Sequence, residues 1–421
     1  MIRKKILFVL PFAPYPLTSG GSQAMFNGIA VVKEDYEVFV TFRTNKCDDA
    51  NIAEFNALMD GKVKVIPYVS PSSKVVKPTI KQRLYRFILK VENKLRKSAG
   101  FDFTSIRIPH RAWVREELFP KETRFAKHVC GIINEYGINI VQSEMLCNVT
   151  VGLALPPKVR KIFVHHELGW VVHTLDLQTQ EGDAFDQTMW LDYYKTCEIA
   201  LLNTYDAVVT LSPIDTKKLQ EAGVRSRIYT SMAVVNTPQD NMLSTEGWNV
   251  LSFVGPDCNL PNIAGIKWFL DNVWERLLQE DSSYRLQIIG HWSENRIAEI
   301  MDGHKNVEYL GFVDDLASVL RDTIMIVPIT IGSGIRMKIL ESASMGVPFV
   351  TTSVGVEGIP VQNGTHGLIA DTPSDFFEAI LKLRDDNVRK QLVMNANRLV
   401  KENYSLEVLR NNRAKIYIDA E

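Results

Sequence analysis

The chain has 421 residues, 46% of them hydrophobic and 23% charged, an ordinary globular composition that excludes a disordered or fibrous protein. Lys and Arg total 48 against 49 Asp and Glu, so the formal net charge of -1 gives no overall pull toward nucleic acid. At roughly 100–200 residues per domain, the length predicts two or three domains, large enough to fold without disulfides or a structural metal. Five scattered cysteines (Cys47, Cys130, Cys147, Cys197, Cys258) have neither C-x-x-C nor zinc-ligand spacing, which fits a reducing compartment.

In chain order, the first apolar run is Ile6–Leu10, behind Met1-Ile2-Arg3-Lys4-Lys5. That start superficially mimics a signal peptide, but Pro11, Pro14 and Pro16 break the apolar stretch, so a buried strand entering a loop fits better. No apolar run approaches the ~18–20 residues of a membrane helix, and the chain is expected to be cytoplasmic. Further strands are predicted at Glu37–Phe42, Val63–Ile66, Ile138–Gln142, Lys161–His165 and Ala207–Leu211. A second series follows at Val250–Val254, Leu286–Gly290, Val307–Leu310, Ile324–Pro328 and Pro348–Thr352. Their apolarity is continuous rather than alternating, as in strands covered on both faces, and helical patterns separate them. This predicts an α/β protein of two doubly wound, Rossmann-like domains. The polar, proline-bearing stretch from Val235 to Asn241 places the boundary near residue 240.

One segment interrupts the rhythm. From Lys74 to Lys97 there are nine basic residues and one acid, Glu92, with Ile80, Leu84, Phe87, Ile88, Val91 and Leu95 at helical spacing. Such a basic amphipathic helix either packs on its own domain with a solvated charged face, or contacts an anionic membrane surface or a phosphate-bearing acceptor.

The strongest local signal is Gly332-Ser333-Gly334-Ile335-Arg336-Met337-Lys338-Ile339-Leu340-Glu341, between a predicted strand and a helical pattern. Two glycines allow a tight turn that exposes backbone N–H groups where a helix begins, and the helix dipole favours an anion there. Arg336 and Lys338 add positive charge against the dipole's preference, a cost that a bound diphosphate would compensate. Glu341 is placed to accept hydrogen bonds from sugar hydroxyls. The bland alternative is a glycine-bearing loop with a surface Arg and Lys. Ser19-Gly20-Gly21-Ser22 forms a second glycine loop, after the first strand and before a helix from about Gln23 to Val32. It is either a site of close backbone approach to phosphate or sugar, or a simple turn. His165-His166-Glu167 ends another strand, so only one of the two histidines can face a crevice. Motifs for a dinucleotide fingerprint, P-loop, serine-hydrolase elbow and H-E-x-x-H metal site are lacking, and no catalytic metal or cofactor is expected.

The order of these pieces resembles GT-B glycosyltransferases, most closely the retaining family-four, or group 1, enzymes. The resemblance is carried by Ser252-Phe253-Val254-Gly255, Asn262-Ile263, Ile288-Ile289-Gly290, Leu310-Gly311-Phe312-Val313, Gly332 and Gly346-Val347-Pro348-Phe349-Val350. Before them, Ala207–Ser212 with Asp215 resembles the last strand of the family's first domain, and Asn403-Tyr404-Ser405 its returning tail. It implies an acceptor-binding domain at 1–238, a nucleotide-sugar domain at 239–402 and a returning C-terminal helix at 403–421; the basic insertion at about 74–120 of the first domain lies outside the resemblance. It further implies a metal-independent transfer of sugar from a nucleoside diphosphate sugar to a hydroxyl of a glycan or lipid-linked acceptor, as in polysaccharide biosynthesis.

In that scheme Gly255 and Gly332 to Ile335 bind the donor, Glu341 its ribose, and Arg336 and Lys338 the leaving diphosphate. His166, or less readily His165, contacts the transferred sugar or acceptor, and Gly20 and Gly21 line the acceptor or phosphate loop. Ser333 stands where the family's E-x7-E pattern has its first glutamate, and Pro256 where many members have an arginine. These departures keep two alternatives open: a catalytically silent nucleotide-sugar-binding subunit, and another GT-B chemistry such as a nucleotide-sugar epimerase.

Overall fold

The computed structural model describes residues 3–17, 19–70, 118, 123–178, 184–235, 248–332 and 334–419. The basic segment Lys74–Lys97, most of the 74–120 insertion, Ser333 and the linker from residue 236 to 241 lie outside the described residues.

The first sheet contains β1 (Lys5–Leu10), β2 (Glu37–Thr44), β3 (Val63–Val65), β4 (Tyr68–Val69), β5 (Ile140–Glu144), β6 (Arg160–His165), β7 (Ala207–Thr210) and β8 (Arg227–Thr230). Its order is β3-β2-β1-β5-β6-β7-β8, with β4 pairing to β2. The second contains β9 (Val250–Val254), β10 (Arg285–Ile289), β11 (Val307–Gly311), β12 (Ile324–Val327), β13 (Phe349–Thr351) and β14 (Leu368–Ile369), in the order β11-β10-β9-β12-β13-β14. All strand pairs are parallel, and in both sheets the order reverses beside the first strand. Ligands of such sheets bind outside the carboxyl ends of the strands at that reversal.

Burial explains the continuous apolar runs. Ile6, Phe8 and Leu10 of β1 pack in one core cluster while Leu7 and Val9 pack in another, because successive side chains leave opposite faces of a sheet covered on both. All five are fully buried. Each such side chain contributes ~1.5–3 kcal/mol on burial, enough to set the register of the central strand.

Crossover helices cover the first sheet: α1 (Gly20–Ala30), α2 (Asp49–Leu58), α3 (Thr123–Tyr136), α4 (Gly169–Gln178), α5 (Ala184–Leu202) and α6 (Pro213–Glu221). Those of the second are α7 (Leu260–Phe269), α8 (Glu275–Glu280), α9 (Glu294–Met301), α10 (Leu316–Leu320), α11 (Met337–Met345) and α12 (Pro373–Lys382). After α13 (Asp386–Asn403), the last helix, α14 (Leu406–Asp419), returns to the first sheet, where Leu409, Ile416 and Tyr417 join the core that holds Ile6 and Phe8. Arg410 on α14 also grips Asp35 at 3.0 Å. None of the described helices is long and apolar enough to cross a membrane.

Two placements differ from the sequence reading. Strand β5 runs from Ile140 to Glu144 rather than Ile138 to Gln142, because the apolar Ile138 belongs to the turn that follows α3 and Ser143 and Glu144 pair with β6. Gly20 and Gly21 are not a loop: Ser19 caps α1, its hydroxyl accepting from the Ser22 amide at 3.1 Å, and both glycines form the helix's first turn.

Candidate functional site

The carboxyl ends of the two sheets face each other. Ile335 and Met337, at the start of α11, pack against the cores of both. A Cβ on Gly20 would lie 2.9 Å from the Met337 Cγ, so this glycine lets the start of α1 approach the start of α11. A Cβ on Gly21 would lie 2.6 Å from the Met145 Cε. Lys218 reaches across to Glu357 at 3.3 Å.

Between β12 and α11 the chain makes the predicted tight turn. Gly332 and Gly334 have φ of +122° and +81°, in the region that favours glycine. Arg336 occupies the N-cap position of α11, but its side chain makes no cap, and the first turn holds no acidic residue. The guanidinium instead folds back, Nη1 donating to the Gly334 carbonyl at 2.6 Å. Helix α11 thus begins with backbone donors that no side chain caps.

Lys338 lies one residue into the helix. Its Nζ donates to Asn262 Oδ1 at 2.8 Å and sits over the Phe253 ring, 4.7 Å from the centroid. Asn262 is held in turn, its amide nitrogen donating to the Pro256 carbonyl at 2.9 Å. Gly255, with φ of +150°, passes directly beside them: a Cβ there would lie 2.5 Å from Asn262 Nδ2 and 2.9 Å from Lys338 Nζ. Burial pushes the Lys338 ammonium down to about 7, with the Arg336 charge adding to the effect and Glu341 opposing it. Burial also lowers Arg336 from its ordinary value, against the charges of Glu357, Glu167 and Asp215. Burial raises the Glu341 carboxyl, with Lys338 opposing. A positive cluster that is partly desolvated at an uncapped helix start favours an anionic ligand, which restores the charge balance that burial upsets.

The opposite wall comes from β5 and β6. His165 turns inward, its Nε2 2.7 Å from Glu198 Oε1, with both residues almost fully buried. His166 leaves on the other side, and its Nε2 lies 2.9 Å from Glu144 Oε2. The His166 carbonyl and the Glu167 Cβ lie within 3.7 Å of a Cβ built on Gly334, so this wall borders the glycine turn. Glu144 stays charged: burial opposes that, but the hydrogen bond and charge of His166, the nearby Arg413 and the Gln142 amide together hold it below the usual carboxylate range.

The structure therefore gathers Gly255, Gly332, Gly334, Ile335, Arg336 and Lys338 around one turn, with the His166 backbone and Gly20 bordering it, whereas Gly21 packs against Met145 and Phe12 instead. Glu341 lies further along α11, beside Lys338 electrostatically. Sequence reasoning assigned no role to Asn262 or Glu144. The early placement of β5 cut Glu144 off the strand end, where an acid closing the run Ile140-Val141-Gln142-Ser143 would otherwise have stood out. Among the described residues no group of three or more His, Cys, Asp or Glu side chains is placed to hold a metal ion.

Two doubly wound sheets facing a cleft with an anion-favouring turn define a GT-B arrangement. Residues 249–386, which supply that turn, match the family model for glycosyl transferases group 1. An uncharacterised 44.6 kDa protein in the cps region of Klebsiella pneumoniae is 23% identical over 283 residues, covering 64% of this chain and 71% of its own length. An uncharacterised glycosyltransferase of Methanocaldococcus jannaschii is 25% identical over 282 residues, covering 64% of this chain and 76% of its own length. Among solved structures, HepE of Anabaena in complex with UDP-glucose has the same fold, with a TM-score of 0.63 at 13% identity over 99% of each chain. Family match, fold and relatives together support a GT-B glycosyltransferase.

Proposed function

We propose that the protein transfers a sugar from a nucleoside diphosphate sugar to a hydroxyl acceptor in the cleft between the two sheets, with retention of configuration and without a metal. The observation that carries this is the placement of Arg336 and Lys338 at the uncapped start of α11, across from His166. As the glycosidic bond breaks, charge builds on the departing diphosphate. Two cations and the positive end of the α11 dipole stabilise that charge where water is partly excluded. Asn262 holds the Lys338 ammonium in place, and Gly255 leaves the room that the phosphates need. Glu341 would meet the ribose, and His166 a hydroxyl of the sugar or acceptor. HepE's complex with UDP-glucose supports a nucleotide-sugar donor for a chain of this fold.

The proposed acceptor rests on the basic segment of the first domain. Nine basic residues between Lys74 and Lys97 suit a lipid-linked or envelope-glycan acceptor at an anionic membrane face on the cytoplasmic side. The test is incubation of the full chain with labelled UDP-, GDP- and ADP-sugars, with and without EDTA, followed by recovery of free nucleotide. Turnover that persists in EDTA supports the proposal. Tight donor binding with no turnover for any donor and acceptor pair would turn the reading to a silent subunit.

A further inference from the structure

The hydrogen bonds behind His166 do not stop at Glu144. The second oxygen of that carboxylate, Oε1, accepts from Gln142 Nε2 at 2.7 Å, and Gln142 Oε1 accepts from the Tyr417 hydroxyl at 2.5 Å. Gln142 and Glu144 are two apart on β5 and so share a face, whereas Tyr417 comes from α14, 275 residues along the chain from Gln142. Gln142, Glu144 and Tyr417 are 0%, 2% and 1% exposed, so water does not compete for these bonds. One turn back on α14, the buried Arg413 lies beside both Tyr417 and Glu144, and its charge favours the ionised carboxylate.

Chemistry fixes the direction of every link. An ionised carboxylate only accepts, so the Gln142 NH2 must face Glu144, and the imidazole Nε2 must carry the hydrogen it shares with Glu144 Oε2. That turns the Gln142 oxygen to Tyr417, whose hydroxyl must donate. Whenever the imidazole at the end of the series is neutral, its lone pair is therefore on Nδ1. His166 is 11% exposed, the only link of the four that is not almost fully buried.

We infer that the returning helix α14 positions the cleft histidine: Tyr417 and Gln142 act through Glu144 to hold His166 as the Nε2–H tautomer, with Nδ1 free to accept a hydrogen bond from a substrate hydroxyl. The hydroxyl rests on the proposed function; the tautomer does not. Tyr417 and Gln142 are positioning residues, since neither reaches the cleft. This gives the C-terminal helix a role beyond packing, because the end of the chain completes a polar series that begins at the strand end of the first sheet.

The test is nitrogen-15 NMR of the full chain with labelled histidine at pH 8, with His166→Asn identifying the His166 signals. Tyr417→Phe is the central variant, since it removes one hydroxyl and keeps the ring that packs edge-on against Tyr36 at 5.4 Å. Gln142→Met and Glu144→Leu remove the next two links. Wild type should show Nε2–H alone. Tyr417→Phe should mix the tautomers and lower kcat about 3- to 10-fold with donor KM unchanged, and Glu144→Leu should lower kcat about 10²-fold. An Nδ1–H tautomer in wild type, or identical His166 signals in wild type and Tyr417→Phe, overturns the inference. The tautomer shift appearing in a protein that turns over no donor would leave the positioning intact and defeat the transferase reading instead.

Discussion

Lys338 gives the sharpest test of the anion site. Its ammonium is held by Asn262 and the Phe253 ring, and burial brings its pKa down to about 7. At pH 8 the free protein then carries only about a tenth of a proton on that nitrogen. A bound diphosphate favours the charged form, so binding should draw in about 0.9 of a proton from solution, falling to about 0.1 at pH 6 where the lysine is already charged. Isothermal titration with UDP in buffers of different ionisation enthalpy measures this uptake. Lys338→Met keeps the unbranched stem up to the Cε position, lacks the terminal nitrogen, and so removes the titration. Since the ionisation of UDP is common to both proteins, the difference between them isolates Lys338. Uptake at pH 8 should fall by about 0.9 proton and affinity by about 10- to 100-fold, the worth of one charge-assisted hydrogen bond. Equal proton uptake by wild type and Lys338→Met would show that Lys338 does not meet the diphosphate.

Arg336→Ala should lower kcat about 10²-fold or more in donor turnover assays, because a charged stabiliser of the leaving group is lost. Gly255→Ala should weaken UDP binding about tenfold and cost about 1–3 kcal/mol in denaturant unfolding, since a Cβ at φ of +150° would collide with Asn262 and Lys338. Glu341→Gln should raise donor KM with little change in kcat, as a ribose contact is made equally in the ground and transition states; a large loss of kcat at unchanged KM would reject that role. Changing Lys81, Arg83, Arg86 and Lys90 to Glu should abolish co-sedimentation with anionic liposomes at low salt, where each basic residue near the surface contributes ~1 kcal/mol.

Much of the fold was legible because a parallel sheet buried on both faces leaves continuous apolar runs, as in Ile6–Leu10 and Ile324–Val327. What escaped has physical causes. Strand β8, Arg-Ile-Tyr-Thr, is an edge strand whose residues are all at least partly exposed, so its apolar signal is weak. Strands β4 and β14 are two residues long and exist only through pairing with β2 and β13. The glycine turn announced itself locally, since Gly332, Gly334, Arg336 and Lys338 are contiguous. Glu144 did not, and Asn262 stood out only within the resemblance with no role attached, because their roles come from contacts with residues 22 and 76 positions away. Tyr417 and Gln142 are a more extreme case, joined only because α14 folds back onto the first sheet.

In the proposed function this chain turns over a nucleoside diphosphate sugar by stabilising its leaving diphosphate at the start of α11. The most direct measurement is time-resolved release of free nucleotide from UDP-, GDP- and ADP-sugars by wild type and by Arg336→Ala, with donor binding followed in parallel. Wild type should release nucleotide from at least one donor, and Arg336→Ala should do so about 10²-fold more slowly while remaining folded. Release at the same rate by both proteins, or donor binding by wild type with no release from any donor when acceptor is present, would contradict the proposed function.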